Sequence, residues 1–193
     1  MEGAVGPAET AQGTVTLIVG CMFSGKTSAL LRELAAHDGP GCLALKHADD
    51  VRYARDSIVS HGGQARPAIG VAAHSEILAW VEPQTTLIGV DDAHFFAEGL
   101  TATVMRLAVR GLHVTVTALD KDSWGRPFPG IERLASVIGR CVTLHATCAR
   151  CGRRADRTQR LTPIRNGRLV GGRDDYEPRC AACWRPPPEP PPD

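Results

Sequence analysis

Short apolar runs rich in β-branched residues alternate with stretches of helical periodicity up to about residue 146. The apolar runs predict buried strands over Thr14–Gly20, Cys42–His47, Thr85–Asp92, Leu112–Asp120 and Cys141–His145. Helices are predicted over Ser28–His37, whose leucines share one face, and over Thr101–Gly111, which ends at a glycine. A further helical stretch precedes the last strand. Because strand and helix alternate, the chain is expected to form an α/β fold, a parallel sheet with helices on both faces.

The pattern changes after Thr147, where arginine and paired cysteines dominate and the apolar runs become short. A section of this size cannot build a core of its own, so it predicts a small lobe held together by a metal. Both ends of the chain are small, polar or proline-rich and are expected to be disordered. The predicted organisation is a disordered N-terminus over 1–13, an α/β domain over 14–146, the metal-held lobe over 147–185 and a disordered tail over 186–193.

The chain of 193 residues carries a net charge of +1, with ordinary hydrophobic and charged fractions of 43% and 22%. This balance does not favour nucleic acid or an anionic membrane as the main partner. No run is long and apolar enough to span a bilayer, and the N-terminus lacks the basic-then-apolar pattern of a signal peptide. A cytoplasmic protein is expected, and in that compartment C-x-x-C pairs favour metal over disulfides.

The stretch GCMFSGKT, Gly20 to Thr27, reads G-x-x-x-x-G-K-T and lies between a predicted strand and a predicted helix. In this context the backbone N–H groups and the helix N-terminus attract phosphate. Lys26 is placed to reach the β- and γ-phosphates, and the Thr27 hydroxyl to ligate Mg²⁺. The alternative is a plain glycine turn, but strand, loop and helix all agree with a phosphate-binding loop.

Two carboxylates, Asp91 and Asp92, follow the apolar run LIGV at the predicted carboxyl edge of the sheet. Ligands of such folds bind at this edge. Asp91 is predicted to hold Mg²⁺ through water, which leaves Asp92 for another task. The alternative is that one of the pair caps the following turn.

Four of the seven cysteines form the pattern C-x₂-C-x₂₈-C-x₂-C: Cys148, Cys151, Cys180 and Cys183. Two such pairs predict a tetrahedral zinc site with no open position, and therefore a structural ion. The alternative is four unligated thiols. Cys21, Cys42 and Cys141 adjoin apolar runs and are predicted to be small core residues.

Five segments, in this order and spacing, resemble the type II (cellular-type) thymidine kinases: GCMFSGKT, KHADDVRYA, IGVDDAHFF, ALDKDSWGRPF and LVGGRDDYEPRC. The resemblance extends from about Gly13 to Cys183. It implies a RecA-like P-loop domain with a zinc-binding lobe that sends a lasso loop over the nucleoside. It also implies ATP and thymidine as substrates, thymidine triphosphate as feedback inhibitor and a homotetramer.

The resemblance implies site residues as well. The catalytic set is Asp92 as general base with Lys26 and Arg52 on the phosphates. The ATP site comprises Gly20, Cys21, Met22, Phe23, Ser24, Gly25, Lys26, Thr27, Asp91, Asp92, Ala93 and His94, with Thr27 and Asp91 serving Mg²⁺. The nucleoside site comprises Met22, Phe95, Leu119, Ser123, Thr158, Gly167, Arg168, Leu169, Val170, Gly171 and Tyr176.

Two positions depart from the family pattern. Asp92 stands where the family usually has glutamate, which is longer by one methylene, or about 1.5 Å. Ser123 stands where the family commonly has phenylalanine over the base, and the neighbouring Trp124 is a candidate to fill that space. The first departure bears on the rate, and the second bears on which nucleoside is preferred.

These inferences predict a thymidine kinase that transfers the γ-phosphoryl group of ATP to the 5′-hydroxyl of thymidine in deoxynucleoside salvage. One rival hypothesis is a RecA-like ATPase that binds DNA through arginines of the lobe: Arg150, Arg153, Arg154, Arg157, Arg160 and Arg165. Another is a nucleotide-binding relative that has lost catalysis, which the Asp92 change permits.

Overall fold

The computed structural model of the chain describes residues 12–37, 39–50, 54–96, 99–163 and 171–188. Within them, a central sheet contains β1 (Val15–Val19), β2 (Cys42–His47), β5 (Ile69–Val71), β6 (Leu87–Asp91), β7 (His113–Ala118) and β8 (Arg140–Thr143). All neighbouring strands of this sheet are parallel, and their order is β5-β2-β6-β7-β1-β8. The predicted parallel α/β sheet is therefore confirmed.

The helices are α1 (Lys26–Ala36), α2 (Leu100–Val109) and α3 (Pro129–Val137), with 3₁₀ turns over His74–Trp80 and Ala93–Phe95. After α2 the chain turns at Gly111, whose φ of +86° is one that glycine adopts without strain. The predicted helices are present within a few residues of their expected bounds, and α1 begins two residues earlier than expected, directly inside the glycine-rich motif.

Two apolar layers cover the opposite faces of the sheet. On one face, Leu30, Leu31 and Leu34 of α1 pack against residues of β2 and β6. On the other, α2, α3 and the 3₁₀ turn over 74–80 pack against alternate residues of the strands. Gly89 permits the close approach of α1, because a Cβ there would lie 2.8 Å from the Leu34 side chain. Helices on both faces of the sheet agree with the prediction.

Three short strands of the α/β domain were not predicted. β5 adds a sixth strand to the sheet, and β3 (Ser57–Val59) pairs with β4 (Ala65–Pro67) as an antiparallel hairpin. Each has only three residues, which is too short to show a periodic pattern. The prediction that Cys141 is a core residue is wrong: Cys141 is exposed on β8, an edge strand of the sheet. Cys21 is buried, as predicted.

Four short strands build the last part of the chain: β9 (Ala146–Thr147), β10 (Arg154–Ala155), β11 (Arg157–Arg160) and β12 (Tyr176–Arg179). They form two antiparallel ribbons, β9–β10 and β11–β12. The buried apolar cluster between them contains Cys148, Ala155 and Cys180. We call the described residues 146–163 and 171–185 the cysteine lobe. Its small apolar cluster agrees with the expectation that it lacks a sizeable core of its own.

At the N-terminal end of the described chain, the Gly13 N–H donates to the Ala108 carbonyl at 2.9 Å. Gly13 is thus joined to the end of α2. No helix in the described ranges has the length and apolar character needed to cross a bilayer.

Candidate active site

The glycine-rich loop, Gly20–Thr27, connects the end of β1 to the start of α1. Its first glycine has φ +152°, and a Cβ there would lie 2.3 Å from the Leu144 carbonyl oxygen. Its second, Gly25, has φ +88° and directly precedes the helix. Both positions of the motif therefore require glycine for the path of the backbone. The loop lies at the carboxyl edge of the sheet, where the motif predicts phosphate binding.

Lys26 is folded back into this loop. Its Nζ donates to the Cys21 carbonyl oxygen at 2.9 Å, and the side chain is only 6% exposed. Burial lowers the pKa of the Lys26 amine, and the Asp92 carboxylate and the Cys21 and Asp91 side chains oppose that effect. An anion bound in the loop would favour the charged form further. The structure thus places the buried Lys26 amino group where the motif predicts phosphate.

Asp91 ends β6 and is held by two threonine hydroxyls. The Thr27 Oγ1 donates to both of its carboxylate oxygens, at 3.2 Å each. The Thr117 Oγ1 in β7 also donates to the Asp91 carboxylate, and it accepts from the Asp92 N–H at 3.1 Å. The two predicted Mg²⁺ ligands, Thr27 and Asp91, are therefore adjacent, and their oxygen atoms suit this hard cation.

Thr117 was not predicted as a site residue. In the sequence it is one β-branched residue inside an apolar strand, and nothing there distinguishes it from a packing residue. Only the pairing of β6 with β7 brings it beside the carboxylates.

Asp92 is buried, and its backbone is left-handed, with φ +48° and ψ 45°. It precedes the 3₁₀ turn over 93–95, but its carboxylate does not cap that turn within the described chain. The His94 Nδ1 lies 3.9 Å from the Asp92 Oδ1 and accepts from the Leu119 N–H at 3.3 Å. Because the Asp92 carboxylate does not cap the turn, the structure favours the hypothesis that this carboxylate serves the site.

A cavity of about 270 Å³ lies over these groups. It is lined by Met22, Phe23, Gly25, Lys26, Thr27, Ser28, Lys46, Asp50, Val59, His61, Gly62, Asp91, Asp92 and Leu119. Lys26 of the glycine-rich loop and the carboxylates of Asp91 and Asp92, which were predicted separately, therefore line the same cavity.

Several lining residues were not predicted. Lys46 is 2% exposed, and its Nζ donates to the Ala54 and Ser57 carbonyl oxygens at 2.7 and 3.2 Å. Its Nζ also lies 3.6 Å from the Asp50 carboxylate. His61 and Gly62 come from the β3–β4 hairpin. Lys46 could have been suspected from the sequence, because it is a lysine at the end of an apolar strand. The hairpin residues could not, because its strands are too short to show a periodic pattern.

Only some of the predicted nucleoside-site residues line the described cavity. Met22 and Leu119 line the cavity, whereas the described lining does not include Phe95, Ser123, Thr158 or Tyr176. Ser123, Thr158 and Tyr176 are all buried. The Trp124 ring lies 5.7 Å from the guanidinium carbons of both Arg126 and Arg160. Arg52 and the residues Gly167, Arg168, Leu169 and Val170 lie outside the described ranges.

The four predicted metal ligands converge. The sulfur atoms of Cys148, Cys151, Cys180 and Cys183 all lie within 4.8 Å of one another. Hydrogen bonding from Arg153 lowers the pKa of Cys151 to about 6, whereas hydrogen bonding with Cys151 and burial raise that of Cys183 to about 11. Four convergent thiols in two C-x-x-C pairs fit a tetrahedral zinc ion.

The parallel sheet with helices on both faces, the glycine-rich loop and the carboxylates at the sheet edge define an α/β protein with an added four-cysteine lobe. A family model described as thymidine kinase matches residues 13–184. A curated relative from Mesoplasma florum, named thymidine kinase, is 35% identical over 186 residues, which cover 90% of this chain and 92% of the relative. The chain belongs to the thymidine kinase family.

Proposed function

We propose that this chain is a kinase that transfers the γ-phosphoryl group of ATP to the 5′-hydroxyl of thymidine. The observation that carries the proposal is one cavity lined by Lys26, the Thr27–Asp91 pair and Asp92. A phosphoryl transfer needs positioning and charge neutralisation more than covalent chemistry, and these groups supply both. Membership of the thymidine kinase family supports thymidine as the acceptor.

The glycine-rich loop would hold the triphosphate, with the Lys26 ammonium group against the developing charge on the phosphoryl oxygens. Thr27 and Asp91 would hold Mg²⁺, which supplies further charge neutralisation when bound. The 5′-oxygen forms a bond to the γ-phosphorus while the bond to the ADP oxygen breaks. Asp92 would orient the hydroxyl and accept its proton. Arg52 would act on the same phosphates, as the family resemblance implies.

The nucleoside would lie beside Met22 and Leu119, which already line the cavity. The lasso, residues 167–171 with Tyr176, would cover the base and exclude water, which otherwise competes as acceptor. We further propose a structural zinc ion on the four cysteines, feedback inhibition by thymidine triphosphate, a homotetramer and a cytoplasmic location. The last three proposals rest on the family resemblance and on composition.

The DNA-binding hypothesis loses part of its support in the lobe. Arg153 is exposed, but its guanidinium donates to the Cys151 sulfur at 3.4 Å and is thereby committed to the cysteine cluster. The near-neutral net charge of +1 also disfavours a nucleic-acid partner.

The decisive experiment is a phosphorylation assay with Mg·ATP and a panel of natural nucleosides, with product identified by mass. We expect thymidine 5′-monophosphate, formed with one ADP per product molecule. A matched reaction without nucleoside measures ATP hydrolysis. Hydrolysis that proceeds without any nucleoside product would contradict the proposal and favour an ATPase, whereas nucleotide binding without turnover would favour an inactive relative.

A further inference from the structure

Three consecutive residues of the glycine-rich loop contact the cysteine lobe. The Cys21 thiol donates to the Ala155 carbonyl oxygen at 3.6 Å. The Met22 N–H donates to the Thr158 Oγ1 at 3.1 Å. The Arg173 guanidinium carbon lies 5.8 Å from the centre of the Phe23 ring. The loop is thus joined to the lobe through a thiol, a backbone amide and an aromatic ring in succession.

Thr158 is firmly placed by the lobe. It is 4% exposed and pairs with Pro178 across the β11–β12 ribbon. Pro178 lies two residues before Cys180, and its carbonyl oxygen accepts from the Ala149 N–H at 2.9 Å. The strand that presents the Thr158 hydroxyl to the loop is therefore tied to both halves of the cysteine cluster.

The loop conformation needs such external support. Phe23 has φ +63°, a left-handed conformation that residues other than glycine seldom adopt unless their surroundings enforce it. Its ring contacts Arg173 of the lobe and, edge-on at 5.5 Å, His61 of the β3–β4 hairpin. Met22 and Phe23 both line the cavity, so the backbone path from Cys21 through these two residues decides the shape of that wall.

We propose that Thr158 is a positioning residue for the glycine-rich loop, so that the cysteine lobe takes part in binding the phosphoryl donor as well as the nucleoside. The inference rests on the proposed function, since it takes this loop as the site of the donor phosphates. The Thr158 hydroxyl accepts the Met22 N–H and fixes the Cys21–Met22 peptide, one residue before the strained backbone of Phe23. Without that acceptor, the loop must adopt its anion-binding shape during binding, and donor affinity falls.

The test is equilibrium binding of Mg·ADP, measured by calorimetry on the full chain with no nucleoside present. Thr158→Val removes the acceptor and nearly keeps the side-chain shape. Because a lost hydrogen bond of this kind is typically modest, Kd should rise about 3- to 10-fold. Thr158→Ser keeps the hydroxyl and should restore a Kd near that of the unmodified chain. Omitting the nucleoside separates this effect from any contact of Thr158 with a base.

Thr162→Val is the matched control. The Thr162 hydroxyl donates to the Asp175 carboxylate at 2.8 Å, within the same lobe, so the variant loses a hydrogen bond of the lobe without altering one to the loop. Its Kd for Mg·ADP should stay unchanged. If Thr158→Val fails to fold, the exposed Arg173→Met tests the adjoining contact with Phe23, and Kd should rise about two- to fivefold.

The outcomes distinguish the two proposals. Suppose that the unmodified chain binds Mg·ADP and that Kd is unchanged in Thr158→Val. This result overturns the positioning role and leaves the proposed function intact. If Thr158→Val does not fold, an unchanged Kd in Arg173→Met has the same meaning. A rise in Kd for Thr162→Val equal to that for Thr158→Val also overturns it, because the effect would then be general loosening of the lobe. Failure of the unmodified chain to bind Mg·ADP overturns the proposed function itself.

Discussion

The carboxyl edge of the sheet and the cysteine lobe hold their functional groups in different ways. At the sheet edge, the ends of β1, β6 and β7 lie side by side, and their parallel register brings Lys26, Asp91 and Thr117 together. A large apolar core on both faces supports that register. In the cysteine lobe the buried cluster is small, and convergence depends on four sulfur atoms.

This difference predicts different responses to damage. A core that extends across many residues distributes the loss of one side chain over the whole domain, because its unfolding is cooperative. A lobe held by one metal site loses its organisation when a single ligand is lost. The two regions nevertheless meet at the glycine-rich loop. A substitution that destabilises either region should therefore also affect the site, through the sheet in one case and through the lobe in the other.

The largest expected effect lies at the sheet edge, in the reaction itself. Asp92→Asn should keep the shape of the side chain but remove its ability to accept a proton. Since general base catalysis typically contributes 10²–10⁴-fold, kcat with thymidine should fall by about that factor. KM for thymidine should change far less, because the lost interaction is made in the transition state. Steady-state kinetics with saturating Mg·ATP measure both constants.

Asp92→Glu provides the companion measurement for side-chain length. If the backbone at this buried position leaves room, the longer acid should restore or raise kcat. If the pocket has closed around aspartate, glutamate will clash and kcat will fall. A kcat of Asp92→Asn close to that of the unmodified chain would contradict the assignment of Asp92 as general base. The hydroxyl proton would then pass to solvent or to a phosphate oxygen.

The core of the α/β domain supplies the second effect. Leu134 of α3 is fully buried, so Leu134→Ala should lower the free energy of unfolding by about 2–5 kcal/mol. Val137→Ala on the same helix is the control, because Val137 is 51% exposed and its truncation should cost less than about 0.5 kcal/mol. Urea denaturation measures both. Equal effects of the two substitutions would show that α3 does not cover the core as described.

The cysteine lobe should show the opposite pattern. Purified protein should carry about one zinc ion per chain, and Cys180→Ser should lose it. Amides of β11 and β12 should then exchange with solvent roughly 30-fold faster or more, while those of β7 keep their protection. Cys141→Ser, at an exposed cysteine outside the cluster, should change neither zinc content nor exchange. A zinc-free chain with full protection in the lobe would contradict a structural metal.

The same comparison explains which features could be predicted from sequence. The glycine-rich motif and the strand ending in Asp91 and Asp92 are local patterns, and the structure places Lys26, Thr27 and both carboxylates around one cavity. The four cysteines could be predicted to form a metal site, because the short spacing within each C-x-x-C pair is a local signal. The strands of the sheet were found by their apolar runs, except β5, which has three residues.

The features that escaped prediction depend on pairing between distant segments. The strand order places β7 between β6 and β1, and no local pattern encodes that order. Lys46 and His61 reach the cavity from β2 and from a hairpin whose strands have three residues each. The contact between Met22 and Thr158 joins residues 136 positions apart. These relations are set by tertiary packing, which overrides what a single segment can indicate.

The smallest effect concerns Thr117, the residue of β7 that bonds to the Asp91 carboxylate and to the Asp92 backbone. Thr117→Val removes the hydroxyl that donates to Asp91 and accepts from the Asp92 N–H, with little change in shape. Since a hydrogen bond of this kind contributes about 0.5–1.5 kcal/mol, the Mg²⁺ concentration for half-maximal activity should rise about 3- to 10-fold. Thr115→Val is the matched control, because Thr115 lies on the same strand but donates to Glu33 of α1 at 2.8 Å. Titration of activity with Mg²⁺ at saturating ATP separates the two. An equal shift in both variants would mean that β7 acts only through general packing. An unchanged Mg²⁺ requirement in Thr117→Val would show that the Thr117 hydroxyl is not needed to hold Asp91.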